Sequence, residues 1–277
     1  MTGPRVSVVV PAFQSARYVG QTVESVLNQT YDNVEVIVAD HASSDGTWEV
    51  LSPYAGRPNF RLLRTEAGGG AERNWNRVTD EASGKYLKLV CADDLLYPTC
   101  LAEQVAVMEA DENVALAAAR RDLIDSAGRV LVRARGLPKI AGNVDGLEAI
   151  RKTVRAGTNI FGEPACVLLR TDLVRKVGGW SAVHPYLIDE DMYVKVLTYG
   201  DLYATPDALA AFRISGTQWS VGLARQQARQ ARAFHADIRA AMPAGVSALD
   251  VRIGSVRAAV ISVMRRAAYV AWRRRMR

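Results

Sequence analysis

Tyr86-Leu87-Lys88-Leu89-Val90-Cys91-Ala92-Asp93-Asp94 runs from a short, mostly apolar stretch straight into two adjacent carboxylates. Tyr86 to Val90 reads as a buried strand, because its length and its aliphatic and aromatic content suit a pleated interior. Two neighbouring acids at a strand end raise the local negative potential. A hard divalent cation, Mg²⁺ or Mn²⁺, relieves it and keeps coordination positions open for phosphate oxygens. Asp93 and Asp94 are therefore candidate metal ligands. The plainer reading has Asp94 capping the next helix and Asp93 solvated, since helix starts favour Asp.

The same strand-then-polar punctuation recurs upstream. Val6 to Val10 and Val34 to Ala39 read as buried strands, and Arg61-Leu62-Leu63 as a short third one. Between them lie helical patterns: Tyr18 to Asn28 with Val19, Val23, Val26 and Leu27 on one face, Thr47 to Leu51 behind a cap at Ser44 or Asp45, and Ala71 to Ala82 with Trp75, Val78 and Ala82 aligned. Such alternation predicts an α/β fold, Rossmann-like, with a mostly parallel central sheet flanked by helices. In open sheets of this kind ligands bind outside the carboxyl ends of the strands. Asp40, Asp93 and Asp94 fall there.

Further along, the pattern predicts a helix from Thr99 to about Ala110, a strand over Val114 to Ala119, and a turn at Asp125-Ser126-Ala127-Gly128. A Gly- and Pro-containing loop over 136–146 follows, then a helix over Asp145 to Ala156 and a strand over Cys166 to Arg170. A short helix from Thr171 closes at Gly178-Gly179. Asp189 to Tyr199 reads as a helix, Leu209 to Ile214 as a last strand, and everything beyond Gly222 as helical with a break near Pro243.

Three more segments carry candidate chemistry. In Ala39-Asp40-His41-Ala42-Ser43-Ser44-Asp45-Gly46-Thr47, Asp40 is placed to accept from a base N–H or a ribose hydroxyl, and the remainder is turn chemistry. Gly68-Gly69-Gly70 opens a helix bearing Arg73, an arrangement suited to an anion or simply to a flexible link; it is neither a P-loop nor a Rossmann fingerprint. Asp189-Glu190-Asp191 opens another helix, where acids complement the macrodipole and one could serve as a general base.

The 277 residues are 49% hydrophobic and 23% charged, ordinary for a soluble globular chain. No signal peptide or membrane-spanning run is read, and Cys91, Cys100 and Cys166 are too scattered for a disulfide framework or zinc site. The expected location is a reducing cytoplasm. Net charge is +6, yet eight arginines and no acid lie between Val251 and Arg277, so the body is slightly negative and nucleic-acid binding is not expected.

Taken in order, these segments resemble family-2 glycosyltransferases of the GT-A fold. Val6 to Phe13 is similar to the family's opening strand and Pro-x-Tyr/Phe turn. Glu24-Ser25-Val26-Leu27-Asn28-Gln29-Thr30-Tyr31 resembles its first helix exit, and Asp40 to Thr47 its Asp-Asp-Gly-Ser-x-Asp-Gly-Thr loop. Ala71 to Asn74, Gly84 to Asp94, Gly178-Gly179-Trp180 and Glu190-Asp191 match later landmarks, over about residues 4–220. The resemblance implies inverting transfer from a nucleotide-sugar donor to a glycan or lipid-linked acceptor, with Mn²⁺ or Mg²⁺. It implies that Pro11, Ala12, Phe13, Asp40, Ala42, Arg73 and Asp93 line the donor site, that Asp93 (with Asp94) holds the metal, and that Asp191 is the catalytic base, with Glu190 supporting the acceptor. Two departures stand out: His41 replaces the second acid of the first loop, and Cys91 stands where the first Asp of Asp-x-Asp is usual.

On this reading residues 1–98 bind the donor and 99–220 the acceptor, with 221–277 a basic helical extension. Glu163 and Trp180 are expected to face the acceptor, Trp180 by stacking on a sugar ring; Trp219 is read as packing. The competing readings are a degenerate site that only holds nucleotide-sugar, and a sugar nucleotidyltransferase. The latter normally has a glycine-rich basic loop after the first strand, where this chain has Pro11-Ala12-Phe13-Gln14-Ser15. The basic segment 251–277 suits the inner membrane face, a helix packed on the body, or a contact between two copies.

Overall fold

The computed structural model describes residues 3–215 and 226–272, apart from the side chain of residue 269. The expectations for the Gly216 to Trp219 loop and for the arginines from Arg273 onward lie outside the described residues.

In chain order the elements are β1 (Val6–Ala12), α1 (Val19–Leu27), β2 (Val34–Asp40), α2 (Thr47–Leu51), β3 (Phe60–Arg64), α3 (Gly70–Asp80), β4 (Tyr86–Leu89), β5 (Leu95–Leu96), α4 (Cys100–Ala110) and β6 (Val114–Ile124). There follow β7 (Val130–Arg135), β8 (Gly142–Val144), α5 (Gly146–Ala156), β9 (Val167–Arg170), α6 (Thr171–Lys176), α7 (Ile188–Leu197), β10 (Asp201–Arg213), α8 (Gln227–Ala241) and α9 (Ala248–Trp272). One sheet runs β3-β2-β1-β4-β9-β6-β10-β5, with β7 on β6 and β8 on β10. Its first four strands are parallel, and β6 and β10 form a long parallel ladder; the short β9 joins the two groups antiparallel to both neighbours.

Every residue of β1 is buried, and β2 is buried from Glu35 onward. Helices pack over the sheet, so the strands need apolar residues on both faces, which is why they read as continuous Val/Ile runs. The α/β expectation therefore holds. Strand β10 starts eight residues earlier than the sequence suggests. Pro206 cannot donate to a ladder, and it sits where the register with β6 shifts between Thr205 and Ala208. The 136–146 loop contains β8, which exists through pairing with β10.

Helices α8 and α9 break around Pro243, as expected, and α9 docks on α5. The contact is a backbone approach: a Cβ on Gly254 would lie 1.9 Å from the Val154 carbonyl oxygen, and one on Gly157 2.4 Å from that of Gly254. Asp250, at the head of α9, receives Ser247 Oγ at 2.7 Å and Arg155 Nη1 at 2.6 Å. Burial opposes its ionisation, but these hydrogen bonds and the nearby arginines prevail and hold its carboxyl at about 2.

Candidate active site

At the carboxyl ends of β1 and β2, two loops are sewn together by short polar side chains. Gln14 N–H donates to Ser43 Oγ at 2.9 Å, Ser15 N–H to Thr47 Oγ1 at 2.8 Å, and Ala16 N–H to Asp45 Oδ2 at 3.0 Å. Asp45 is thus the structural acid of this loop. Asp40 ends β2 fully buried, with Oδ1 accepting from Ser43 N–H at 3.2 Å. Its Oδ2 has no hydrogen-bond partner, although Arg64 Nε stands 3.9 Å away. Next to it, His41 Nδ1 meets Thr65 Oγ1 at 2.8 Å while Nε2 is unpartnered, and Phe13 lies edge-on to its ring at 6.0 Å. Asn74 ties α3 to the Ala12 carbonyl at 3.3 Å, leaving Oδ1 without a partner. Ala42 follows with φ of +52°. Buried polar atoms are normally paired, so three such atoms at adjoining strand ends form a cradle for a polar ligand.

The second half lies beyond β4. Asp94 is buried, its Oδ1 accepting from the Arg213 N–H at 3.1 Å, and its Oδ2 has no hydrogen-bond partner. Arg213, at the end of β10, braces the acidic turn from below. It donates Nε–H to the Asp93 carbonyl at 2.9 Å, Nη1 to the Asp125 and Ser126 carbonyls, and Nη2 to Gln21 Oε1 at 2.9 Å; its guanidinium lies 4.4 Å over the Tyr18 ring. Burial, then the charge of Asp93, pushes the Asp94 carboxyl well above the usual range. Burial also raises the Cys91 thiol, followed by the negative charges of Asp94, Asp93, Asp189 and Glu163. Those four carboxylates, from three distant segments, thus share one neighbourhood around Cys91.

Glu163 is held by Arg121 through an ion pair of 2.5 Å and a hydrogen bond of 2.8 Å. Gly162, at φ +101°, lets this loop pass Cys166, whose Sγ a Cβ would meet at 2.8 Å. Asp189 opens α7 toward the cluster. Asn159 Nδ2 donates to its Oδ2 at 2.9 Å and the Glu190 N–H to its Oδ1 at 2.8 Å. Burial, helped by the charge of Glu163, lifts its carboxyl to about 7.

The other candidates have different partners. Asp191 pairs with Lys195 one turn along α7 at 2.6 Å, while Asp189 meets Asn159, because residues two apart on a helix face apart. Glu190 points away from the acidic rim and is buried against α5, accepting from Thr153 Oγ1 at 2.7 Å. Trp180 is 2% exposed, donating Nε1–H to Thr79 Oγ1 and standing edge-on to Trp75, so it is core and not an acceptor platform. Arg73 is half-exposed, folded back on Ala67 and Glu66. Arg213, Arg121 and Asn159 are not among the residues that the sequence motifs mark. The one cue was an arginine ending the apolar run Ala210-Ala211-Phe212-Arg213, since a charge in a buried strand needs several acceptors.

Among the described residues no three His, Cys, Asp or Glu side chains converge as a full metal-ligand set. The acid pair still fits a hard cation of the kind that takes one or two carboxylates and draws its other ligands from phosphate and water. The unpartnered Asp94 Oδ2 and the neighbouring Asp93 supply that number.

The chain resembles EpsE of Bacillus subtilis, 26% identical over 187 residues, 66% of this chain and 62% of that protein; it thus spans less than two thirds of that relative. Among solved structures, S. aureus TarS in complex with UDP aligns with a TM-score of 0.64 at 19% identity, over 83% of this chain and 64% of that one. The mannosyltransferase PcManGT of Pyrobaculum calidifontis, in complex with GDP-Man and Mn²⁺, aligns with a TM-score of 0.62 at 17% identity, over 97% and 81%. These likenesses establish the GT-A type of fold. The family model described as glycosyl transferase family 2 matches residues 7–178, and the chain belongs to that family.

Proposed function

We propose that this chain transfers a glycosyl group from a nucleoside diphosphate sugar to an acceptor hydroxyl, with inversion and with a divalent cation held by Asp93 and Asp94. The observation that carries the reading is the shared neighbourhood of Asp93, Asp94, Glu163 and Asp189 at the strand ends, beside the cradle of Asp40, His41 and Asn74. The similar folds of TarS and PcManGT, described with UDP and with GDP-Man and Mn²⁺, support a donor of this class.

In this reading the nucleoside lies on Phe13, Asp40, His41 and Ala42, and the diphosphate at Asp93. A bound Mn²⁺ or Mg²⁺ neutralises charge on the departing diphosphate. Asp189, set near neutrality by its surroundings, takes the proton of the acceptor hydroxyl as that oxygen bonds to the anomeric carbon. The bond to the diphosphate oxygen breaks with its electron pair, and a single displacement inverts the centre. Asn159 and the Glu190 N–H fix the base, while Arg121 keeps Glu163 aimed at the same space. The acceptor is a glycan or lipid-linked glycan, met in the cytoplasm.

Titration calorimetry of the full chain with UDP-GlcNAc and GDP-mannose, with Mn²⁺ or with EDTA, tests the donor site. At least one donor should bind in a Mn²⁺-dependent way, and Asp93→Ala should remove that dependence. Affinity indifferent to both changes would overturn the metal placement. Donor binding with neither transfer nor hydrolysis would leave a nucleotide-sugar-binding protein.

A further inference from the structure

Among the described residues, helix α9 is docked by one face only. Gly254, Ala258 and Ser262 are buried against the body, and Arg265 turns inward to Gln227 Oε1 at 3.0 Å. The opposite face carries Leu249, Ile253, Val256, Val260, Val263 and Val270 at steps of four and three, the last step of seven passing through Ala267. That spacing makes one continuous stripe along a helix. Apart from the half-buried Ile253 it is open: Leu249 and Val256 are each 61% exposed, Val260 54%, Val263 57% and Val270 76%, with Met264 beside them at 65%. Scattered exposed apolar residues need no explanation, but a contiguous stripe of this length marks an interaction surface.

Charge selects the occupant. Arg252, Arg257 and Arg266 are exposed alongside the stripe, and the sequence from Val251 to Arg277 contains eight arginines and no acid. A second copy pairing through this stripe would bring arginines against arginines at the flanking positions, where helix pairs normally set opposite charges. An anionic lipid surface instead meets both features: acyl chains take the apolar stripe, and arginines extend their stems along it to reach phosphate headgroups. Among the described residues no helix is long and apolar enough to cross a membrane, so α9 would lie in the interface plane.

We infer that α9 is an interfacial helix that seats this chain on an anionic bilayer through the Leu249–Val270 stripe and its flanking arginines. The inference does not depend on glycosyl transfer. Flotation of the full chain uses vesicles of phosphatidylcholine alone and vesicles in which about a third of the lipid is phosphatidylglycerol. The chain should float with the second and not the first, less so as salt rises. Val256→Asp with Val263→Asp, both on the solvent face, should abolish flotation and leave the melting temperature and donor affinity unchanged. Arg252→Gln and Arg257→Gln should each weaken binding by about fivefold. Absent flotation, or equal flotation with both vesicle types, would overturn the inference. So would a dimer in sedimentation equilibrium that Val260→Asp dissociates, which would assign the stripe to a second copy. Donor affinity measured on the same samples separates a failure of this surface from a failure of the proposed site.

Discussion

Asp189 and Asp191 stand two residues apart with the same side chain, and their surroundings give them different chemistry. Asp189 is buried beside Glu163 and held by Asn159, whereas Asp191 has a cation 2.6 Å away in Lys195. A general base works best with its pKa near the working pH, and the value of about 7 puts Asp189 there. Asp189→Asn should therefore lower turnover by about 10²–10⁴, the usual worth of a positioned base, while Asp191→Asn keeps turnover within a few-fold. The wild-type kcat/KM should rise with pH through about 7 as Asp189 loses its proton, and that limb should vanish in Asp189→Asn. Equal losses in the two variants, or an acid limb near 4, would refute the assignment. The sequence marks an acid at 189–191 as a candidate base, because three acids at a helix start are visible as such. It could not show which one turns inward, since that depends on the rotation of α7 against β6 and the 159–163 loop. Trp180 failed for the same reason: its indole N–H finds Thr79, a partner 101 residues away in sequence.

Strands β1, β2 and β4 were legible because burial on both faces leaves almost no choice of residue, and α3 because its apolar positions recur with helical spacing. Elements that exist through a neighbour were not. Strand β8 is three residues in a Gly-containing loop that β10 recruits, and β10 itself is masked by Pro206. Gly254 is a further case. Read alone, a glycine inside a helix costs stability, but here it is what lets α9 approach the backbone of α5. Gly254→Ala places a Cβ where the Val154 carbonyl oxygen already lies. Urea unfolding should show a loss of about 1–3 kcal/mol, the range for overpacking a tight contact, with donor affinity unchanged in the native baseline. A gain in stability, as for an ordinary solvent-facing helical glycine, would show that α9 is not docked this closely.

Across the whole molecule, buried carboxylates set the pH response, and their direction can be worked out before any measurement. Asp189 titrates at about 7 and Glu190 at about 8, each raised first by burial, from ordinary values of 3.8 and 4.5. The folded chain therefore holds their protons after the unfolded chain has lost them. Their contribution to stability is full below about pH 4 and is lost as pH rises through 7 and 8. His235, buried and lowered to about 4 from 6.5, works oppositely: its contribution is present above 6.5 and is lost as pH falls toward 4. The two trends oppose one another at acid pH, and of these three groups only the two carboxylates act above 6.5. Glu190 and His235 line one cavity of about 20 Å³ between α7, α8, α9 and the Gly157-Thr158 turn that follows α5, room for roughly one water, so the cost of ionising Glu190 falls on the joint between the body and the C-terminal helices. The melting temperature of the metal-free chain should fall between pH 6.5 and 8. Glu190→Gln, which keeps an acceptor for the Thr153 hydroxyl, should flatten much of that fall, raise the melting temperature at pH 8 by a few degrees, and spare turnover. A variant that melts in parallel with wild type across this range would mean that Glu190 ionises without penalty, and that the joint is wetter than its geometry implies.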